Sequence, residues 1–320
     1  MSTSRIEVSV VCLAYNHEQY IKKALDSILS QETTFEYEII VHDDASTDNT
    51  AAILVEYANR YPNIIPVMQK ENIYQLGRNA REVIVDYVHG KYVALCECDD
   101  WWIDKHKLQK QFDYMETHSE CSLYTHAVEM RDESGENTIG YIAPSNCARS
   151  FSTDEVIRGG GGLFGTNSMF FPARYYILPE LYQKWGVGDY PSCIYLSTQG
   201  DIHYDPVIMS GYRVGSVGSW TLRMRNKDYA IKNNQKIMRG LERFDKATSN
   251  QYSDAVIEIV DRFLLEQAML EQDIHGLLFG RSGRAFWSLD VRQKIRVTAK
   301  CVMPRICAKL SSLKVIKLGR

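Results

Sequence analysis

Alternation constrains this chain more than anything else in it. From residue 6 to residue 100, short apolar runs each end in a polar loop, and most of these loops open an amphipathic segment. Ile6-Glu7-Val8-Ser9-Val10-Val11-Cys12-Leu13 reads as a buried strand ended by the turn Tyr15-Asn16-His17-Glu18. Ile21, Ala24, Leu25, Ile28 and Leu29 then recur at helical spacing. The unit repeats with a strand over 37–41, the loop 42–48 and a helix over 50–61, then a strand over 64–68, a helix over 77–88 and a strand over 91–96. Such alternation predicts an α/β fold of Rossmann-like character, a parallel sheet with helices on both faces. Sheets of this kind bind ligands at the carboxyl ends of their strands, where the polar loops of this chain fall.

Two of those loops are acidic. Glu97-Cys98-Asp99-Asp100 follows the apolar run 92–95 and places three carboxylates within four residues. They repel one another unless a cation intervenes, and oxygen donors suit Mn²⁺ or Mg²⁺ bridging a diphosphate. A solvated acidic loop is the alternative at this point. Asp43-Asp44, with Ser46 and Asp48, ends the second strand and opens a helix. Asp48 or Ser46 can serve as an N-cap, whereas Asp43 and Asp44 lie earlier than a cap needs and suit a nucleobase N–H.

After residue 120 the pattern loosens. Four glycines at 159–162 predict either a mobile loop near a ligand or a plain linker. Residues 229–275 read as helical. The formal charge of -3 is split unevenly, because residues 281–320 carry eleven Lys or Arg against Asp290 alone. Apolar Val291, Ile295, Val297, Val302, Ile306, Leu310, Leu313 and Ile316 interleave with Arg292, Lys294, Arg296, Lys300, Arg305, Lys309 and Lys314, which predicts basic amphipathic helices broken at Pro304. Contact with an anionic membrane follows as an expectation, with packing on the body as its rival. A nucleic-acid partner would fit the tail and nothing else.

The eight cysteines show no framework, and no secretory leader precedes the first strand, so reduced cytosolic thiols are expected. Cys96 and Cys98 have no second pair at zinc-ligand spacing. No run reaches the 18 or so apolar residues of a membrane span.

The strings VSVVCLAYNHEQYIKKALDSILSQ, YEIIVHDDASTDNT, ENIYQLGRNAREVIVDYVHGKYV and CECDDWW, in that order, resemble the family-2 nucleotide-sugar glycosyltransferases of the A-type fold. A later string, GVGDYPSCIYLSTQGDIHYDPVIMSGYRVGS, resembles the acceptor half of that family. The resemblance implies a catalytic domain over 1–225, with a nucleotide half over 1–120 and an acceptor half over 121–225, followed by a helical, basic region over 226–320. By the same resemblance Tyr15 packs on the base with Asn16 and Glu18 beside it, Asp43 and Asp44 read uracil or thymine, and Arg78 joins the nucleotide pocket. Glu97 and Asp99 face ribose and sugar, Asp100 with Asp99 ligates the metal, and Asp189 is the catalytic base.

A carboxylate that takes the proton of an acceptor hydroxyl permits a single displacement, which inverts the anomeric centre. Relatives often carry a His metal ligand soon after a Tyr-Arg pair. Here Tyr212-Arg213-Val214 leads to Gly215, so Arg213 and Arg223 are expected to compensate by holding phosphate oxygens. Adjacent Trp101 and Trp102 on a strand would point to opposite faces, so one is expected in the core and the other, with Arg213, on the acceptor. Trp185 is expected in the core, and His17 and His42 as hydrogen-bonding neighbours of the nucleotide pocket.

The implied function is transfer of a sugar from a UDP- or dTDP-linked donor to a lipid-linked glycan, in O-antigen, capsule or exopolysaccharide synthesis, at the inner face of the cytoplasmic membrane. A nucleotidyltransferase remains an alternative, although the loop at 14–18 lacks the glycines and basic residue of its phosphate loop. A non-catalytic sugar- or nucleotide-binding module is another.

Overall fold

The first strand, β1 (Ile6–Ala14), is buried from Val8 to Cys12 without alternation, as expected where helices cover both faces. The structure, a computed structural model, describes residues 5–216 and 219–303. Contacts divide the chain into two units, Met1–Gln183 with Gly188–Arg223, and Lys184–Val187 with Met224–Arg320.

The strands of the first unit continue with β2 (Glu36–Asp43), β3 (Ile64–Met68), β4 (Tyr92–Leu95), β5 (Trp101–Trp102), β6 (Cys121–Arg131), β7 (Thr138–Ile142), β8 (Arg149–Phe151), β9 (Phe170–Pro172) and β10 (Asp201–Arg213). Its helices are α1 (Ile21–Leu29), α2 (Thr50–Arg60), α3 (Ala80–Ile84), α4 (Lys107–Thr117), α5 (Thr153–Gly159), α6 (Asp189–Ser197) and α7 (Trp220–Arg223). The sheet runs β3-β2-β1-β4-β9-β6-β10-β5. Its first four strands are parallel, as the alternation predicted. Beyond β4 the expectation of a parallel sheet is corrected. β9 lies antiparallel between β4 and β6, so the sheet is mixed. Phe170 and Phe171 are wholly buried there, but a three-residue strand is too short to leave a periodic signal.

The core of this unit joins Val8, Val10 and Cys12 of β1 to Ile21, Leu25 and Ile28 of α1, and to Ile39 and Val41 of β2. Burying each aliphatic side chain stabilises the fold by about 1.5–3 kcal/mol. The glycine run is neither loop nor linker. Gly159 ends α5, Gly160 adopts φ +70°, and 160–162 form a single 3₁₀ turn.

The second unit contains α8 (Lys227–Ala247), α9 (Ser253–Glu271), α10 (Ile274–Phe279), α11 (Gly283–Ser288) and α12 (Val291–Val302). The helical stretch expected over 229–275 breaks between α8 and α9, where Ser249 and Asn250 take the left-handed conformation. Trp185 is core as expected. It is fully buried against Gly240, where an added Cβ would stand 2.3 Å from the indole. Leu265, Ala268, Leu277, Phe286 and Cys301 form this unit's own apolar cluster. Pro304 and the expected helix beyond it lie outside the described residues. Among the described residues no helix is long and apolar enough to cross a membrane.

Candidate functional site

Because β1 pairs with β2 on one side and β4 on the other, the loops that follow these strands share the carboxyl edge of the sheet. The imidazole of His17 shows how near they come. Burial lowers its pKa, while the charges of Asp99, Asp48 and Asp43 push it the other way.

In the loop after β2, the carboxylates are occupied by the chain's own donors. Asp44 is buried and accepts from the backbone N–H of Ile73 at 2.7 Å and of Tyr74 at 3.2 Å, which ties down the segment carrying Arg78. Asp43 is buried and accepts from the Ser46 hydroxyl and, at 3.2 Å, the Ser46 N–H. Asn16 and Glu18 do similar work. Asn16 Oδ1 accepts from Thr47 N–H at 2.8 Å, and Glu18 Oε2 accepts from Asn49 at 2.9 and 2.8 Å. Asn16 holds φ +57° and Ala45 φ +59°, and these bonds fix both left-handed turns. Tyr15 is half-buried and Arg78 exposed. His42 is buried, which lowers its pKa, and its Nε2 has no hydrogen-bond partner. That leaves the expected bond at this nitrogen unmade.

The loop after β4 is different. Glu97, Asp99 and Asp100 bring carboxylate oxygens within 4.8 Å of one another. Burial, then the charges of Asp99 and Asp189, push the Glu97 carboxyl up to about 8, against the pull of Arg223. Burial, then the charges of Asp99 and Glu97, act likewise at Asp100, whose pKa is well above the usual range despite the Arg213 N–H. Both Asp100 oxygens accept from the chain, Oδ1 from Arg213 N–H at 2.9 Å and Oδ2 from Asn167 Nδ2 at 2.9 Å. Asp99 Oδ2 accepts from the Ser216 hydroxyl at 2.5 Å. Crowded hard oxygens, with the pKa values of Glu97 and Asp100 raised, are a donor set that a divalent cation fits, since it removes the repulsion that helps raise them.

Arg213 departs from expectation. It is buried, donates from Nε to the Asp99 carbonyl at 3.1 Å and from Nη1 to the Glu133 carbonyl at 2.6 Å, and lies over the rings of Tyr20 and Trp101. It braces the acidic loop through these Nε and Nη1 bonds. The tryptophans also need correction. Trp102 joins the apolar core, as expected of one of the pair, and Trp101 is buried as well, with Lys23 3.4 Å from its ring centroid and Lys107 4.1 Å from that of Trp102. β5 pairs with β10, and Gly211 opposite Trp101 is needed because an added Cβ would stand 2.4 Å from the indole.

Asp189 is the first residue of α6 and half-buried. Its Oδ1 accepts from Tyr190 N–H at 2.7 Å, and Thr166 Oγ1 lies 3.4 Å from Oδ2. Burial raises its pKa, opposed by these bonds and by Arg81. Sequence reasoning missed Arg81, which donates to the Tyr176 carbonyl at 3.0 Å and to Ser192 Oγ at 2.9 Å, bracing the first turn of α6. It also missed Asn167 and Ser216. The one available signal for Arg81 was its place three residues after Arg78, at the start of a helical segment. Glu97, Asp99, Asp100 and Asp189 thus share one electrostatic neighbourhood, whereas Asp43 and Asp44 are held by bonds to nearby hydroxyl and backbone donors.

Comparison with known proteins gives the family and the fold. Residues 9–175 match the family model described as Glycosyl transferase family 2. An uncharacterized protein of Mycobacterium tuberculosis is 30% identical over 298 residues, 91% of this chain and 81% of its own length. Escherichia coli WfaP, named as a UDP-Glc:alpha-D-GlcNAc-diphosphoundecaprenol beta-1,3-glucosyltransferase, is 34% identical over 110 residues, 34% of this chain and 41% of its own. Among solved structures, the mannosyltransferase PcManGT of Pyrobaculum calidifontis, in complex with GDP-Man and Mn²⁺, aligns with a TM-score of 0.51 at 17% identity, covering 97% of this chain and 88% of that one.

Proposed function

Because the chain belongs to glycosyl transferase family 2, and is a glycosyltransferase with the A-type α/β fold, we propose that it inverts: one displacement moves a sugar from a UDP- or dTDP-linked donor to an acceptor hydroxyl. Family membership removes the nucleotidyltransferase and non-catalytic alternatives. The observation that carries the inverting reading is Asp189, a carboxylate pinned at the start of α6 and close enough to the acidic loop to raise the Glu97 pKa.

A hydroxyl is a poor nucleophile at neutral pH, and a fixed carboxylate that takes its proton during attack contributes roughly 10²–10⁴ in rate. Burial makes Asp189 a stronger base than an exposed carboxylate, while the Tyr190 N–H holds its ionised form and its direction. Arg81 keeps the turn beneath it in place through Ser192. Mn²⁺ or Mg²⁺ would be held by Asp99 and Asp100 with Glu97 beside them, and when bound it supplies neutralisation of the departing diphosphate. Tyr15, half-buried at the end of β1, is the aromatic surface offered to the base. Arg78, exposed on the segment that Asp44 ties down, reaches the nucleotide. The acceptor is a lipid-linked glycan of a surface polysaccharide, a reading supported by the diphosphoundecaprenol acceptor in the name of WfaP.

Asp189→Asn tests the base. The amide keeps the shape and the Tyr190 bond but cannot accept a proton, so turnover should fall by roughly 10²–10⁴ with donor affinity unchanged. Loss of donor affinity in a titration of UDP-sugar would instead move Asp189 into the nucleotide site.

A further inference from the structure

The last three helices of the second unit leave apolar side chains in water. Phe279 is 74% exposed, Trp287 57%, Val291 72%, Ile295 64% and Val302 53%. Single exposed apolar residues need no explanation, but an ordered group of them marks a contact surface.

On α12 they are ordered. At the helical turn of about 100° per residue, Val291, Ile295 and Val302 fall within about 40° of one another. Cys301 and Val297, which pack on the cluster of Leu265 and Ala268, point roughly a quarter turn or more to one side. Arg292, Arg296 and Lys300 form a strip on the other side, about 100–180° round, and all three are exposed. The helix therefore has an inward face, an exposed apolar face and an exposed basic face. Its start is firm, because Asp290 and Gln293 form a capping box. Trp287, exposed at the end of α11, has its ring held in place: Nε1 donates to the Leu278 carbonyl at 3.0 Å, and Lys294 sits 5.4 Å from the ring centroid.

We infer that this face docks on an anionic lipid surface, with the apolar side chains entering the headgroup boundary and the basic strip lying against lipid phosphates. Charge selects this occupant over the others. Within 274–303 the cations Arg281, Arg284, Arg292, Lys294, Arg296 and Lys300 stand against Asp290 alone. Arg284 is spent on Asp261, and the rest keep the excess positive. A second copy would set like charges face to face. The chain's own residues 304–320 carry Arg305, Lys309, Lys314, Lys317 and Arg320 with no acid, so their charge opposes the basic strip and favours an anionic surface. The use of such a face rests on the lipid-linked acceptor proposed above, whereas its binding to lipid is measured without any transfer.

The test is sedimentation of the full chain with phosphatidylcholine vesicles, with and without phosphatidylglycerol. The parent should bind only the anionic vesicles, and more weakly as salt rises. Arg292→Gln with Arg296→Gln and Lys300→Gln should lower partitioning by roughly 100-fold, since each basic residue near the surface contributes about 1 kcal/mol. Val291→Ser with Ile295→Ser and Val302→Ser should lower it by roughly tenfold or more. Thermal stabilisation by UDP should be unchanged in both, and Ile295→Ser alone serves if the triple variant does not fold. Equal binding to neutral vesicles, or parental binding by both variants, overturns the inference. So does a drop in oligomeric mass in the apolar variant, which would make the face a contact between copies, or binding to an acidic protein with none to anionic vesicles.

Discussion

The two acidic loops at the carboxyl edge of the sheet look alike in sequence and behave differently in the structure. After β2, Asp43 and Asp44 have oxygens matched to nearby donors, namely Ser46, Ile73 and Tyr74. After β4, Glu97, Asp99 and Asp100 crowd together, and the pKa values of Glu97 and Asp100 rise because burial and like charge outweigh the donors supplied. A buried carboxylate with matched N–H donors stabilises its loop. One held against other carboxylates stores a cost that a cation or a proton relieves. Both Asp100 oxygens have donors as well, so neither acids nor donors alone separate architecture from chemistry; the like charge crowded against the carboxylate does.

The sharpest break of this comparison is Asp99→Asn. It removes one of three crowded charges while keeping an oxygen for the Ser216 hydroxyl. Transfer should fall by at least roughly 100-fold, as for removal of groups that hold a metal. The thermal midpoint of the metal-free protein should hold or rise. Near-parental turnover at limiting Mn²⁺ would show that the second loop is architecture too. Asp100→Ala is a poorer probe, because it strands the Arg213 N–H and leaves the Asn167 amide with the Gly211 carbonyl as its acceptor.

On the other loop, Asp44→Ala should reverse the pattern. Two backbone N–H groups lose this acceptor, at about 1–3 kcal/mol for each, so stability falls by about 2–6 kcal/mol. With the 72–77 segment loosened, donor KM should rise while kcat at saturating donor changes less than threefold or so. A large kcat loss at unchanged KM would mean that Asp44 acts in the chemistry.

Protonation gives a smaller and reversible test. Between the unfolded carboxylate value of about 4.3 and about 8, the folded chain keeps a proton at Glu97 that the unfolded chain has released. The folded state binds more protons across that window, so this contribution to metal-free stability is full below about 4.3 and is lost as pH rises through about 8. Thermal midpoints measured from about pH 5 to about pH 8.5 should decline, Glu97→Gln should flatten the decline, and Mn²⁺ should raise the midpoint most at the alkaline end. An equal slope in Glu97→Gln would place the titration elsewhere.

Much of this was legible in the sequence, and the rest was not for physical reasons. β1, β2 and β4 announced themselves because a strand buried on both faces is a largely continuous apolar run, and the acidic loops because charge at a strand end is conspicuous. β9 is three residues long, and the pairing of β5 with β10 depends on Gly211, whose missing side chain makes room for Trp101. Neither leaves a period. Asn167, Ser216 and Arg81 are single polar residues that act through buried bonds from distant parts of the chain. The reading of Trp101 and Trp102 placed one ring in the core, as Trp102 is, but strand geometry says nothing about the Lys23 that packs on Trp101.

Ser46→Ala has the smallest expected effect and probes the contrast most directly. The Ser46 hydroxyl donates to Asp43 and accepts from Asn16 N–H at 2.9 Å, so it joins the loop after β2 to the turn after β1. Ser46 is half-buried, and water can replace part of what is lost. Stability should fall by about 1 kcal/mol, the usual net worth of a hydrogen bond, and the thermal midpoint by about 2–4 °C. Asp43 keeps the Ser46 N–H at 3.2 Å, and nothing in the acidic loop after β4 changes. Turnover at saturating donor and the Mn²⁺ dependence should therefore match the parent. If Ser46→Ala alters the Mn²⁺ dependence, the two loops are coupled in function, and the division between a loop that holds the edge and a loop that does the chemistry fails.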